Sequence, residues 1–225
     1  MLERYITEIQ SSGQTRADEN ATIASLNRNA FRRARVLSVN VAGGAGSGKS
    51  TLIVQTIARL LPQWRAGVIA ANSIFNPDIW RFNAVAAQIA RLQLSTGTTL
   101  MPHDVQVGLS QLDLSPLGAV FIENLDLLPR PGECDLGEEA RVVVFSVAAG
   151  ADQAAKHPRV VEWADAVILN KVDLLPLTAF DLESFRADIR RLNPRAKLFE
   201  ICASKGQEMD EWADWVRLQI HKRAA

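Results

Sequence analysis

Gly43-Gly44-Ala45-Gly46-Ser47-Gly48-Lys49-Ser50-Thr51 decides how the rest of this chain is read. An apolar run, Val36-Leu37-Ser38-Val39-Asn40-Val41, precedes it, and an apolar-periodic segment, Leu52-Ile53-Val54-Gln55-Thr56-Ile57-Ala58, follows. That is the strand–loop–helix context in which G-x-x-x-x-G-K-[ST] acquires a physical meaning. Glycines let backbone N–H groups turn inward around phosphate oxygens, and the helix N-terminus adds its positive end. Gly44, Gly46, Ser47, Gly48, Lys49, Ser50 and Thr51 therefore form the candidate phosphate cradle. Lys49 is expected to reach the β- and γ-phosphates, and the Ser50 hydroxyl to ligate Mg²⁺. A glycine-rich turn without a ligand is the bland alternative. Gly43, Gly48, Lys49 and Ser50, all present in this context, argue against it. The expected ligand is a nucleoside di- or triphosphate.

Outward from this loop, short apolar runs at Gly67–Ala71, Ala119–Ile122, Arg141–Val147, Ala166–Leu169 and Lys197–Ile201 read as further strands. Helical spacing covers Thr51–Leu61, Asp78–Arg91, Val105–Leu112, Phe180–Leu192 and Met209–Ile220. In the second of these the apolar positions are Ile79, Phe82, Val85, Ala86 and Ile89. Ser73–Pro77, Ser95–Thr99 and Leu127–Gly137 read as loops. Strands apolar on both faces, alternating with helices, predict an α/β fold: a doubly wound, mostly parallel sheet with helices on both faces. Ligands then bind at the carboxyl ends of the strands. Residues 1–34 form an N-terminal helical extension, with a weak stripe at Ala21, Ile23, Ala24 and Leu26, and 35–225 the phosphate-loop domain.

Composition narrows the function classes. The 225 residues are 48% hydrophobic and 22% charged, with zero formal net charge, as in an ordinary globular protein. Nothing pulls the whole chain toward nucleic acid or a membrane surface. Arg28, Arg32, Arg33 and Arg35 read as cations offsetting a helix C-terminus rather than as a nucleic-acid patch. The two cysteines, Cys134 and Cys202, form no C-x-x-C pair, which excludes a disulfide framework and a thiolate zinc knuckle. No signal core and no membrane span of roughly 18 apolar residues is present, so a cytoplasmic location is expected by elimination.

Base choice is read from Asn170-Lys171-Val172-Asp173, directly after the Ala166–Leu169 run. An aspartate there accepts from both N1–H and N2–H of guanine, donors that adenine lacks. The Lys171 stem can lie across the base plane. The bland alternative is a helix start with Asp173 near its cap. Ala203, in Cys202-Ala203-Ser204-Lys205, fits the loop whose backbone N–H meets the guanine carbonyl. The expected ligand narrows to GTP or GDP with Mg²⁺.

With these motifs in place the chain resembles the HypB nickel-incorporation GTPases, which group with the urease accessory GTPases. The resemblance runs from about Ala17 onward. It is carried by Asn40 through Lys49, Ser95-Thr96-Gly97, Phe121-Ile122-Glu123-Asn124 and Asp135-Leu136-Gly137-Glu138. It continues through Ser146 to Asp152, Lys156-His157-Pro158, Asn170 to Pro176, Phe180-Asp181, Asn193-Pro194 and Gly206 to Trp212. It implies a doubly wound GTP-binding domain that forms a homodimer on GTP and helps mature a nickel enzyme, typically a hydrogenase. In that reading Lys49 stabilises transferred charge, Ser50 and Glu123 manage Mg²⁺ directly or through water, and Asp173 selects guanine. Apolar loop residues Trp80, Leu100, Met101, Leu127 and Leu128 stand where a partner would pack, and core packing explains some of them equally well.

The departures from the family pattern are specific. Its Cys-His pair and further Cys, which bind metal across the dimer, correspond to Leu100, Met101 and Arg130. A guanidinium cannot deprotonate and repels a divalent cation. Nickel or zinc is thus left without its ligand set, and His103 with Cys134 makes only a poor substitute. The family's Gly-Asp pair becomes Ala71-Asn72, with Asp78 and Arg81 matching a downstream Asp and Arg, and a glycine after Glu123-Asn124 becomes Asp126. The leading expectation is a slowly GTP-hydrolysing accessory protein for metalloenzyme maturation, without its own nickel site, acting with a metalloenzyme or its maturation factors. The alternative is a nucleotide-gated interaction module that binds GTP or GDP with little hydrolysis. A small-molecule kinase would leave Asp173 unexplained.

Overall fold

A computed structural model of the chain describes residues 2–71, 79–94, 100–124 and 135–224, of which 2–16, 71, 79 and 224 are described by their backbone alone. One sheet holds β1 (Leu37–Gly43), β2 (Arg65–Ala71), β3 (Gln88–Leu92), β4 (Leu117–Asn124), β5 (Ala140–Ser146), β6 (Ala166–Asn170) and β7 (Lys197–Ile201). Its order is β3-β2-β4-β1-β5-β6-β7, and every pairing is parallel. The helices are α1 (Leu2–Ala34), α2 (Lys49–Leu60), α3 (Ile79–Ala84), α4 (Pro102–Leu109), α5 (Gln153–Lys156), α6 (Pro158–Glu162), α7 (Leu182–Leu192) and α8 (Met209–Ala224). The expected doubly wound sheet is the one observed. Among the described residues no helix is long and apolar enough to cross a membrane.

Both faces of the sheet are covered because successive strand residues point to opposite sides. Val39, Val41, Val68, Phe121, Val144 and Ile168 pack on Leu52, Ile53 and Ile57 of α2 and on Trp212 and Val216 of α8. Ile69, Val120 and Ile122 meet Phe31 of α1 and Val105 of α4 on the other side. Farther along that side, Phe145, Val167 and Leu169 meet Phe185 and Ile189 of α7. The order places β1 between β4 and β5, and the chain leaves it first toward β2 and later crosses to β5. That reversal opens a crevice at the carboxyl end of β1, where the phosphate loop begins.

Two expectations from hydrophobic spacing are corrected. The buried stripe of α1 is Ala24, Asn27 and Phe31, while Ala21 and Leu26 face solvent. Hydropathy passes over Asn27, whose buried amide Nδ2 donates to Pro102 O at 2.8 Å and Leu136 O at 3.0 Å. Those bonds compensate its burial and staple α1 to the start of α4 and the lead-in to β5. Of the basic cluster, Arg28 pairs with Asp135 at 2.5 Å and Arg32 lies 3.8 Å from Glu139, so these cations answer carboxylates of the same chain.

The second correction concerns Asp78–Arg91, which spacing reads as one helix. The described part divides into α3 and β3. Ala86, a good helix former, takes a left-handed φ of 54°. Its N–H donates to Asn83 O at 3.0 Å and that of Ala87 to Phe82 O at 3.2 Å, the paired bonds of a Schellman turn. The chain is thereby turned to run beside β2, pairing from Gly67↔Gln88 to Ala71↔Leu92. Satisfying the open edge of β2 outweighs a local helical preference. The loops expected at Ser73–Pro77 and Ser95–Thr99, and residues 127–134 of the third, lie outside the described residues.

Ala86 is exposed, so its backbone strain is separable from packing. Ala86→Gly is expected to raise stability by about 0.5–1 kcal/mol, and Ala86→Val to lower it. Urea unfolding midpoints at constant m-value check both.

Candidate nucleotide site

The phosphate loop is built by close approach of backbone to backbone. At Gly43 a Cβ would stand 2.7 Å from Val144 O and 2.8 Å from Ser47 Oγ, so the strand end has no room for a side chain. Gly48 caps α2 with φ 96°, and a Cβ there would lie 2.2 Å from Asn170 Nδ2. Only glycine satisfies both the left-handed backbone and the contact. No side chain caps α2 and no acid occupies its first turn, so the positive helix end faces the loop.

Lys49 is buried, and its ammonium donates to Gly43 O at 2.7 Å and Gly44 O at 2.9 Å. Burial pushes its pKa below the ordinary lysine value, and the nearby Glu123 carboxylate pushes it back up. Ser50 Oγ donates to Glu123 Oε1 at 2.5 Å, which joins the first turn of α2 to the end of β4. These two hard oxygen donors side by side fit Mg²⁺, whose preferred ligands are carboxylate, hydroxyl and water oxygens. Ser47 Oγ is buried with no hydrogen-bond partner among the described residues, a donor that a phosphate oxygen would satisfy.

Opposite the phosphate loop lies the turn after β6. Asn170 is buried, and its Nδ2 donates to Ser47 O at 2.8 Å. Its Oδ1 accepts from Lys171 N at 2.8 Å and from Ala203 N at 3.1 Å. Asn170 therefore engages protein groups on three segments, and a base oxygen approaching Ala203 N–H would share that donor with it. Lys171 is held at φ 64°, and its Nζ donates to Gly46 O at 2.7 Å, laying the side-chain stem along the cleft. A cavity of about 160 Å³ opens between the two segments, lined by Gly48, Thr51, Asn170, Lys171, Asp173, Leu174 and Ser204. The Asp173 carboxyl sits well below the ordinary carboxylate range, through its hydrogen bond with Cys202 and then its pairing with Lys205 at 3.0 Å. It is an ionised double acceptor at neutral pH, the form that can receive two N–H groups of a guanine edge.

Of the residues expected at the site, Gly48, Thr51, Asn170, Lys171 and Asp173 line this cavity, and hydrogen bonds tie Gly44 to Lys49, Gly46 to Lys171, Ser47 and Ala203 to Asn170, and Ser50 to Glu123. Two residues that the sequence named without a contact acquire one here. Lys205 pairs with Asp173, and Arg81 of α3 donates from Nη1 to Thr51 Oγ1 at 3.1 Å. The family pattern marks Arg81 and the loop motif contains Lys205, but neither contact is legible in the sequence, because both join segments that only the sheet brings together. Leu100, one of the apolar residues read as facing either a partner or the core, is 3% exposed and packed in the core with Val105 and Leu136. Trp80, in α3 rather than in a loop, is 66% exposed. Asn72, Asp78, Asp126, Leu127, Leu128, Arg130 and Cys134 lie outside the described residues.

Comparison with known proteins is concordant. Residues 37–200 match a family model described as "CobW/HypB/UreG, nucleotide-binding domain". The hydrogenase maturation factor HypB of Escherichia coli K12 is 34% identical over 202 residues, covering 90% of this chain and 70% of that protein. The crystal structure of the maturation factor HypB from Archaeoglobus fulgidus superposes with TM-score 0.83 at 32% identity, covering 90% of this chain and 99% of that one. HypB from Helicobacter pylori, crystallised in complex with nickel, has TM-score 0.83 at 20% identity and shares the fold, covering 91% of this chain and 96% of its own.

Gly48→Ala is expected to abolish nucleotide binding, because its Cβ would collide with Asn170 and part the two halves of the cleft. Calorimetric titration with GDP, beside a circular dichroism spectrum showing retained helix, checks this.

Proposed function

The chain belongs to the CobW/HypB/UreG family of nucleotide-binding domains, and on that premise we propose that it is a GTP-binding, slowly GTP-hydrolysing accessory protein of metalloenzyme maturation, without a nickel site of its own. The observation that carries the guanine reading is the ionised Asp173 facing the phosphate loop across a cleft spanned by the Lys171 side chain. Lys49 holds the phosphates and offsets charge developing on the transferred group; Ser47 and the first turn of α2 orient them. Ser50 and Glu123 would hold Mg²⁺, which when bound supplies Lewis-acid charge to the phosphate oxygens. With no covalent step, turnover rests on positioned water and electrostatics and is slow.

The absence of nickel in this reading rests on Leu100. At a position the family gives to a metal ligand, the chain has an aliphatic side chain committed to the core. The protein's contribution is then its nucleotide-dependent association with a metalloenzyme or that enzyme's maturation factors. A second copy of the chain is the companion expected on GTP, and the exposed Trp80 indole on α3 supports such a surface.

Equilibrium titration is expected to give tight GTP and GDP binding and ATP weaker by about tenfold to a hundredfold, since adenine cannot satisfy Asp173. Phosphate release from Mg²⁺-GTP should be slow and lost in Lys49→Ala. Tight binding with no release by the wild type would instead favour the non-hydrolysing module. Light scattering with GDP and with a non-hydrolysable GTP analogue tests the dimer: a mass doubling only with the analogue is expected, and a monomer in both would exclude it.

A further inference from the structure

Lys205 lies outside the Asn-Lys-x-Asp turn, yet its ammonium stands 3.0 Å from Asp173 Oδ2. The turn that carries it is closed by its own backbone. Cys202 and Gln207 exchange two hydrogen bonds, at 3.2 and 3.1 Å, and Lys205 N donates to Cys202 O at 3.2 Å. Gly206, at a left-handed φ of 67°, lets the chain reverse, and its carbonyl accepts from Arg59 Nη2 of α2 at 3.0 Å. Residues 202–207 are therefore bonded both within themselves and to the last turn of α2. From this one turn Ala203 N–H donates to Asn170 Oδ1 at 3.1 Å and Lys205 meets Asp173. Two of its donors thus reach the first and last residues of the base-reading motif.

What the ammonium does there follows from the position of the cavity. Asp173, Leu174 and Ser204 line it, and Lys205 is not among the described residues of its wall. The lysine meets the carboxylate without filling the space that a base would enter. An ionised carboxylate offers two oxygens and about four lone-pair sites. Asp173 can therefore keep Lys205 and still accept two N–H groups of a guanine edge. Left to itself, an aspartate carboxyl turns about a broad terminal torsion. Lys205 on Oδ2, with the Cys202 thiol hydrogen-bonded to the same carboxyl, restricts that rotation before any ligand arrives. The Lys205 side chain is 56% exposed and that of Asp173 20%, so the pair is partly screened and its effect is modest.

We propose that Lys205 is a positioning residue for base recognition, holding the Asp173 carboxylate in the orientation that receives guanine and so raising the preference for guanine over adenine. The inference rests on the guanine-nucleotide reading above. It gives the Cys202–Gln207 turn a second task beside presenting the Ala203 N–H.

The test is equilibrium binding of GDP and ADP to the full chain, comparing wild type with Lys205→Met, Lys205→Arg, Asp173→Ala and the double variant Lys205→Met/Asp173→Ala. Lys205→Met should weaken GDP by about threefold and leave ADP unchanged, because the phosphate contacts common to both are untouched. That loss should shrink as salt is raised, since the pair is screened. Lys205→Arg should retain the affinity of wild type. In the Asp173→Ala background, Lys205→Met should cost nothing further, the mark of two residues acting as one unit. Unchanged GDP affinity in Lys205→Met, an equal loss for ADP, or the same loss with Asp173 absent would each overturn the assignment. Tighter GDP binding by Lys205→Met would also overturn it, showing that the lysine competes with the base. A wild type that binds GDP separates these failures from failure of the guanine reading; a wild type that binds no guanine nucleotide would overturn both.

Discussion

The amide of Asn170 holds the candidate site together. One donor and one acceptor of a single buried side chain reach Ser47 in the phosphate loop, Ala203 in the loop after β7, and the backbone of Lys171. These segments come from the ends of β1, β6 and β7, and no backbone ladder joins their loops directly. An unsatisfied buried amide costs free energy comparable to several ordinary hydrogen bonds, so the arrangement is favoured only when all three loops are in place. The left-handed backbone at Gly48 is part of the same constraint, because any side chain there would push Asn170 away. Phosphate binding and base reading are thereby fixed at one separation, which is what a nucleotide of fixed length requires.

Electrostatics around that framework is balanced rather than simply positive. Lys49 is buried with Glu123 as its charged neighbour, and Asp173 is paired with Lys205. Each pairing lowers the cost of keeping an ionised group where a ligand will meet it. For Asp173 the folded carboxyl lies below its ordinary value of 3.8, so the stabilisation from its partners is complete above that value. It is lost only as pH falls through the lower folded value. This carboxylate therefore stays ionised near neutral pH.

Away from the cleft, the chain has the family's frame with a different filling. Leu100 sits in the core beside Val105 and Leu136, and Asn27 of α1 bonds to the neighbouring residues Pro102 and Leu136. The lead-in to α4 and the lead-in to β5 are thus both secured to α1 through packing and buried hydrogen bonds. A leucine at this place contributes to stability by removing apolar surface from water, and has no chemistry to offer a cation.

The phosphate loop, the Asn-Lys-x-Asp turn and six of the seven strands were legible in the sequence. Each is written in consecutive residues: glycines where the backbone must turn, a lysine and serine at a fixed offset, and apolar runs for strands buried on both faces. Other features depended on partners distant in the chain. Residues 88–92 carry helical spacing and become a strand because β2 offers an open edge, with Ala86 taking a left-handed conformation to allow it. Asn27 is polar and buried because two carbonyls far along the chain await its amide. The contacts of Arg81 with Thr51 and of Lys205 with Asp173 likewise exist only once the sheet is assembled. Local sequence determined which chemical groups this protein brings to a nucleotide, since conformational preference and motif spacing act over a few residues. Tertiary structure decided which groups face one another, because the hydrogen bonds and burial that settle the matter are made between segments far beyond the few residues over which local preference acts.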